Sequence, residues 1–144
     1  MPWLSGVSLL EVVVVLGVLA LMAGIAVPRL PGVGATAVEV AARRLADAAA
    51  VGRDGAILSG RPVRLVLDLD AGRWTLGRES AALPPGVRLR AVASGADVVR
   101  AGLAALTFDP AGDPLPVWVD LADGRGHGAR VVLPAAGGRV RVTR

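Results

Sequence analysis

Residues 7–27 read VSLLEVVVVLGVLALMAGIAV, and Ser8 and Glu11 are the only side chains in this run that are neither apolar nor glycine. As an α-helix these 21 residues rise about 31 Å, which is enough to cross the hydrocarbon core of a bilayer. The run is apolar on all sides, whereas a helix on a soluble domain carries a single apolar stripe. It is also longer than the ~7–15-residue apolar region of a signal peptide and follows no basic segment. We therefore predict a membrane-inserted helix over residues 7–27.

Glu11 places a carboxylate inside this apolar run. A charged carboxylate in hydrocarbon costs several kcal/mol unless it snorkels to the interface, meets a cation or takes up a proton. If the chain is cut before Val7, the new α-amino group lies about one helical turn from Glu11. The amine of one subunit could then neutralise the glutamate of its neighbour. Glu11 is therefore a candidate assembly residue, and snorkelling at the interface is the alternative.

The segment Gly6-Val7-Ser8-Leu9-Leu10-Glu11 and the apolar run after it resemble the cleavage and methylation motif of type IV pilins and type II secretion pseudopilins. In that family a prepilin peptidase cuts after the glycine and methylates the exposed amine. The resemblance implies that residues 1–6 are a leader, that cleavage falls between Gly6 and Val7, and that Val7 is N-methylated. Glu11 then matches the family's glutamate, and Pro28 matches a helix-bending proline. Two departures are Val7 in place of the usual phenylalanine and a leader, MPWLSG, without Lys or Arg.

A second helix is predicted after a cluster of helix breakers. Residues 28–35 hold two prolines and two glycines, and they form the linker to a soluble head over residues 36–144. Thr36 and Glu39 have the spacing of a capping box, with Thr36 as the N-cap and Glu39 returning the hydrogen bond. Small and apolar residues then recur at spacings of four and three, which predicts one buried face of a helix over residues 36–58. These residues are Val38, Ala42, Leu45, Ala49, Gly52 and Ala56.

The pattern of side chains changes from helical to alternating after Gly60. Apolar residues at positions 63, 65, 67 and 69 alternate with mostly polar neighbours, which predicts a half-buried strand. Asp70-Ala71-Gly72 predicts a turn, and residues 73–76 the returning strand of a hairpin. Further short strands are predicted at 87–92, 103–108, 117–121, 129–133 and 139–143. This spacing favours an antiparallel sheet or small sandwich over residues 61–143, so the fold class is α+β.

The whole layout resembles one branch of the pilin-like proteins. A long N-terminal helix, membrane-spanning in its first half and packed on an antiparallel β head, is similar to minor pseudopilins of the GspH type and to the related FimT minor pilins. The segments that carry this likeness are 42–46 (ARRLA), 60–63 (GRPV), 108–112 (FDPAG) and 138–141 (GRVR).

The GspH-type resemblance implies a structural subunit of the type II secretion pseudopilus, which supports protein export across the outer membrane. It also implies a single-pass protein of the bacterial inner membrane with its head in the periplasm. Its partners would be major and minor pseudopilins and the prepilin peptidase.

Composition excludes most catalytic and metal chemistry. The 144 residues contain no Cys and one His, and all 16 positive residues are Arg. Disulfides, thiolate metal sites, thiol nucleophiles and Schiff-base lysines are therefore excluded. The glycine-rich run at residues 124–128 does not join a predicted strand to a helix, so we interpret it as a turn with a solvated His127. No enzyme activity, cofactor or metal is predicted.

Calcium is the one metal for which the sequence offers candidate ligands. Asp109 with Asp113, or Asp120 with Asp123, could offer carboxylates to Ca²⁺. These residues lack the dense oxygen pattern of an EF-hand loop, and turn chemistry explains aspartates at such positions adequately. We therefore interpret all four as turn or strand-end residues.

Net charge is concentrated at the C-terminus. The chain has a formal net charge of +4, and its last 20 residues hold five arginines and no acid. These arginines could protect the outer face of the last strands from aggregation. Alternatively, Arg139, Arg141 and Arg144 could contact the phosphates of DNA, as the resemblance to FimT-type pilins implies for natural transformation. No aromatic residue lies among them in sequence, so such a patch would bind backbone and not stack on bases.

Overall fold

The computed structural model describes residues 11–15, 36–112, 115–135 and 138–144, and the chain divides into two compact units, Met1–Gly34 and Ala35–Arg144. In the first unit, residues 11–15 are helical and exposed. The predicted leader, the cleavage site at Gly6 and Val7, most of the predicted span and Pro28 lie outside the described residues. Within these ranges, no helix is both long enough and apolar enough to cross a membrane.

The second unit begins with helix α1, Ala37–Ser59. Thr36 is extended, and its Oγ1 accepts a hydrogen bond from the backbone N–H of Glu39 at 3.3 Å, which confirms the predicted N-cap. The helix ends where Gly60 adopts a φ of 63°, a left-handed conformation that favours glycine. All six residues of the predicted apolar face are buried.

Sheet 1 has four antiparallel strands in the order β3-β2-β1-β6. The predicted alternation in β1 is confirmed, because Leu65 and Leu67 are fully buried while Arg64 is exposed. The predicted hairpin is confirmed as well, since Leu67 pairs with Trp74 across β1 and β2. The strands are β1 (Val63–Asp68), β2 (Arg73–Leu76), β3 (Glu79–Ala82) and β6 (Leu103–Phe108).

Sheet 2 has five antiparallel strands in the order β5-β4-β7-β8-β9. The chain passes from sheet 1 to sheet 2 after β3, returns for β6, and completes sheet 2 with the last three strands. The final strand begins at Arg141 and not at Arg139 as predicted. The strands are β4 (Val87–Ser94), β5 (Asp97–Val99), β7 (Val117–Asp123), β8 (Gly128–Leu133) and β9 (Arg141–Thr143).

Two edge strands, β3 and β5, were not predicted from the sequence. Their sequences, ESAA and DVV, are too short to show alternation. Each follows a two-residue loop whose first residue is a glycine with positive φ, Gly77 and Gly95. A Gly-X pair between two short apolar segments is the signal that could have revealed both hairpins.

The core lies between α1 and the inner faces of both sheets. It consists of aliphatic side chains from every layer together with Trp74 and Phe108. At Gly52 the helix approaches sheet 1 so closely that an added Cβ would lie 2.8 Å from the ring of Phe108. Among the described residues, the buried cluster runs from Val38 to Leu133, with Val140 and Val142 packed against it, so the second unit contains a core.

Candidate functional site

Glu11 is the one N-terminal candidate that the structure describes, and it is exposed on the helical segment 11–15. Gly6, Val7 and Pro28 are not described, so their predicted roles stay predictions. The C-terminal candidates Arg139, Arg141 and Arg144 are all described, and their surroundings differ from one another.

Arg144 pairs with a buried carboxylate on the first turn of α1. Its Nε lies 2.5 Å from Oε1 of Glu39, whose side chain is only 11% exposed. Side chains alternate along the last strand: Val142 packs against the core and Arg141 is exposed, so Arg144 lies on the helix side. The second hydrogen bond of the predicted capping box, from the backbone N–H of Thr36 to the carboxylate of Glu39, is therefore replaced by the ion pair between Glu39 and Arg144.

Arg139 and Arg141 are both exposed but lie on different surfaces. Arg139 lines a groove beside α1 together with Asp47, Asp54 and other residues of the helix. Arg141 lies on the outer face of sheet 2, where it pairs in register with Val132. The three predicted arginines thus do not form a single patch. Arg139 lies beside α1, whereas Arg144, although paired with Glu39, lines a cleft at the end of sheet 2 together with Arg90 and Arg130.

Arg53 fixes the loop that leads to these arginines. Its Nη1 donates to the carbonyl oxygen of Gly138 at 2.7 Å and its Nη2 to that of Pro134 at 2.9 Å. A guanidinium presents rigid parallel donors, which suits two carbonyls held at a fixed separation. Sequence reasoning missed this role, because Arg53 and Gly138 are 85 residues apart.

The outer face of sheet 2 collects charges that are distant in sequence. We call this surface the sheet face and define it by Arg88, Arg90, Trp118, Asp120, Ala122, Arg130, Val132 and Arg141. An extra residue at Arg90 interrupts the register between β4 and β7, so that Leu89 pairs with Leu121 and Ala91 with Asp120. This bulge keeps Leu89 and Val92 buried while Arg90 is exposed.

Trp118 corrects the expectation that the basic region lacks aromatic residues. It pairs in register with Val132 on β8, which in turn pairs with Arg141 on β9. Because directly opposed residues share a face of a sheet, these three side chains lie on the same outer surface. Trp118 is half-buried there. The sheet face therefore combines arginines with an aromatic ring, which the linear sequence does not show.

Asp120 and Arg130 form an ion pair at the centre of the sheet face. Arg130 Nε lies 2.6 Å from Oδ1 of Asp120, and Nη2 lies 3.0 Å from Oδ2. The hydrogen bond to Asp120 and the charge of its carboxylate raise the pKa of Arg130. The Arg130 side chain is exposed and that of Asp120 partly exposed, so the pair contributes little to stability and mainly orients the guanidinium.

The β7–β8 turn is organised by one carboxylate. Asp123 Oδ2 lies 2.8 Å from Nδ1 of His127, and its Oδ1 accepts the backbone N–H groups of Arg125 and His127. The hydrogen bond from the His127 side chain lowers the pKa of Asp123, with the two backbone bonds acting in the same direction. His127 is thus an exposed turn residue, as predicted, with a partner that the sequence analysis did not foresee.

The described aspartates that were candidates for calcium already have protein partners. Asp109 accepts the backbone N–H of Ala111 at 2.8 Å, and Asp120 is paired with Arg130. Asp113 lies outside the described residues. In the ranges that the structure describes, no three His, Asp or Glu side chains cluster in a way that could hold a metal ion.

Comparisons with curated proteins and with solved structures gave no match. A family model, described as type II transport protein GspH, matches residues 41–143. The match extends from the first turns of α1 through β9, and so covers the helix and both sheets. The chain therefore belongs to the GspH family of type II transport proteins.

Proposed function

We propose that the protein is a minor pseudopilin, a structural and non-enzymatic subunit of a type II secretion pseudopilus that supports protein export across the outer membrane. The observation that carries this proposal is the GspH family match over residues 41–143. The motif from Gly6 to Glu11 supports it independently, because the family match does not include those residues. The other pseudopilins are its partners.

The proposed mechanism begins with the N-terminal segment in the inner membrane. Residues 7–27 hold the subunit there, with the head in the periplasm, until prepilin peptidase cuts after Gly6 and methylates Val7. The Val7 amine of one subunit then pairs with Glu11 of its neighbour, which removes the cost of a lone carboxylate in lipid. Pro28 bends the helix at its exit from the membrane.

Processing and assembly can be separated by two substitutions. Gly6→Ala should block cleavage, so that the chain keeps its leader and is heavier by six residues in mass spectrometry. Glu11→Ala should be cleaved normally, yet fail to restore secretion in a strain that lacks the gene. Glu11→Asp is the matched control, since it retains the carboxylate. Full secretion with Glu11→Ala would exclude the pairing mechanism.

DNA binding is the second candidate function. It is favoured by Arg139 and Arg141, which are exposed and form no ion pair with another described residue. Arg144 contributes less to this candidate because it is paired with Glu39. Trp118 adds an aromatic surface on the same face as Arg141.

A salt titration distinguishes this candidate from the first. Duplex DNA is added to the Ala35–Arg144 unit, and binding is measured between about 50 and 200 mM salt, where phosphate contacts lose affinity steeply. Salt-sensitive binding that disappears with Arg139→Ala/Arg141→Ala, and persists with Arg61→Ala/Arg64→Ala, would support it. Absence of binding at low salt would exclude it.

A further inference from the structure

The four edge strands of the two sheets are not equally protected against pairing with another chain. β3, β5 and β9 are only three or four residues long, and each carries a charged side chain, Glu79, Asp97 or Arg141. The fourth edge strand, β6, is six residues long, and its sequence, LAALTF, contains no charge, proline or glycine. Short length, charge and proline are devices by which natural proteins blunt a sheet edge. β6 has none of them.

The pairing of β6 with β1 shows which of its backbone groups point outward. The N–H of Leu69 donates to the carbonyl oxygen of Gly102 at 2.9 Å, so this opposed pair is a hydrogen-bonded one. Hydrogen-bonded pairs recur at every second residue of an antiparallel ladder, and the register along β6 is unbroken. The N–H and C=O groups of three residues therefore point away from β1 to the free edge: Leu103, Ala105 and Thr107.

These outward groups have no partner in the part of the chain that the structure describes. β6 is hydrogen-bonded to β1 alone, and no strand of sheet 2 lies alongside it. None of the loop hydrogen bonds involves the backbone of Leu103, Ala105 or Thr107. The edge thus presents donors and acceptors at the spacing of a strand, and the backbone of another strand is the group that matches this spacing.

An apolar cavity of about 210 Å³ lies beside the same edge. Four consecutive residues of β6, 105–108, line it. Side chains alternate between the two faces of a strand, so a cavity that touches four residues in succession lies against the edge of β6 and not on one face. On its other side the cavity is bounded by Ser94, Val117 and Leu133, which are opposed in register across β4, β7 and β8.

The cavity has room for one large apolar side chain. An apolar cavity of roughly 150 Å³ holds benzene, and this one is larger. No charged side chain lines it, and Leu115, which does, is 52% exposed. A strand added to β6 would turn every second side chain toward the space between the sheets. The free backbone groups and the cavity therefore specify the same occupant, an extended segment with a large apolar side chain.

We propose that β6 binds an extended segment of a partner protein as an additional strand of sheet 1, and that the cavity holds one large apolar side chain of that segment. The segment is uncharged where it faces residues 103–107. In strand addition of this kind, main-chain hydrogen bonds supply affinity and pockets for alternate side chains supply specificity. The proposal goes beyond the subunit role, because it concerns a binding site that does not depend on the apparatus in which the protein works.

Residue-resolved amide exchange tests the strand addition. The protein is the full-length chain in lipid nanodiscs, and the probe is a seven-residue peptide of threonines with a central leucine and blocked ends. The amides of Leu103, Ala105 and Thr107 should exchange fast without the peptide and at least about tenfold more slowly with it, whereas the intervening amides, bonded to β1, should stay slow throughout. Slow exchange of the three outward amides without the peptide would overturn the proposal, because the edge would already be covered by the chain itself or by a second copy.

A second peptide tests the cavity. With alanine in place of the central leucine, the peptide should bind at least about tenfold more weakly, since it leaves the cavity unfilled. Ser94→Leu fills the cavity from the protein side, so it should lower the affinity of the leucine peptide to that of the alanine peptide. Ser80→Leu, on the far edge strand β3, is the matched control and should change neither affinity. Equal affinities of the two peptides for the unmodified chain would refute the role of the cavity.

A proline tests the edge itself. Ala105→Pro removes an outward N–H and costs no hydrogen bond to β1, so it should weaken binding of the leucine peptide at least about tenfold. Ala105→Ser keeps the N–H and should bind as the unmodified chain does. Undiminished binding by folded Ala105→Pro would overturn the proposal, and if that variant does not fold, the exchange pattern of the unmodified chain decides. All three measurements use purified protein, so their outcome is separate from that of the secretion assay.

Discussion

The two sheets of the head bury similar inner faces but present different outer ones. Leu65, Leu67 and Phe108 of sheet 1 and Val119 and Val131 of sheet 2 are almost completely buried against the same helix. Outside, sheet 1 mixes the charged residues Arg64, Asp68 and Arg73, whose net charge is +1, with small, polar and aliphatic side chains such as Ala105, Thr107 and Leu103. Sheet 2 carries the sheet face, with its arginines and Trp118.

This difference separates folding from interaction. Side chains that contact α1 determine whether the head folds, and both sheets supply them. An outer face does not have to pack against α1, so its composition reflects the surroundings that it contacts. The following substitutions measure how far this separation holds, in order of decreasing expected effect.

The two tryptophans provide the largest contrast. Trp74 on the inner face of sheet 1 is 6% exposed, whereas Trp118 on the outer face of sheet 2 is half-buried. Trp74→Ala should lower the free energy of unfolding by about 3–5 kcal/mol, because it leaves a cavity. Trp118→Ala should lower it by only about 1 kcal/mol. Urea unfolding followed by circular dichroism checks both. Equal losses would show that the outer face of sheet 2 contributes as much to folding as the inner face of sheet 1.

Arg53→Ala should have an intermediate and local effect. It removes the donors to the carbonyls of Pro134 and Gly138, and we expect a loss of about 2 kcal/mol. Amide hydrogen exchange should accelerate in Arg141–Thr143 and stay slow in β1. Arg53→Lys is the matched control and should recover only part of the loss, since an ammonium cannot reach both carbonyls with a planar fork. Uniform acceleration throughout the head would contradict the local role.

Two helix glycines should respond to alanine with opposite signs. At Gly52 the new Cβ would lie 2.8 and 2.9 Å from ring carbons of the buried Phe108, so overpacking outweighs the helix propensity of alanine and we expect a net loss of about 1 kcal/mol. At Gly55 the nearest atom is Val63 Cγ2 at 3.9 Å, so Gly55→Ala should gain about 0.5–1 kcal/mol. Thermal unfolding measures both. If both substitutions stabilise the head, Phe108 must shift to accommodate the new methyl group at position 52.

Asp123 should produce the smallest effect, visible as a dependence on pH. The hydrogen bond from His127 lowers its pKa in the folded state, so its contribution is present above the ordinary pKa of Asp and disappears as pH falls through the lowered value. Asp123→Asn should therefore reduce the melting temperature slightly at pH 7. That difference should begin to shrink as the pH falls below about 4, the ordinary pKa of Asp, and disappear once the pH passes the lowered pKa of the folded state. A difference that persists at pH 2 would show that charge is not involved.

Local patterns in the sequence predicted the elements with clear periodicity. The apolar face of α1, its N-cap at Thr36, the alternation in β1 and the hairpin with β2 are confirmed. Each depends on residues within a few positions of one another. The short edge strands β3 and β5 were missed because three or four residues show no period, and pairing to a neighbouring strand makes them strands.

For the candidate surfaces, the sequence predicts only the number of charged residues. It does not predict their positions in the fold or their partners. The sequence shows five arginines in the last 20 residues, yet Arg144 is paired with Glu39 and Arg130 with Asp120. Arg88 and Arg90 join the sheet face from a strand far earlier in the chain. Their position depends on the bulge at Arg90, which no periodic pattern reveals.

The sequence by itself determined the helix and its buried face, the change from helical to alternating pattern after Gly60, the prepilin-like motif and the concentration of arginines near the end. Such features follow from side-chain periodicity and composition, which are local. Tertiary structure alone decided which arginines are neutralised, which share a surface with Trp118, and that Arg53 holds a loop 85 residues away. These depend on strand order and register, because the core must bury one face of every element and the partners across each ladder follow from that packing.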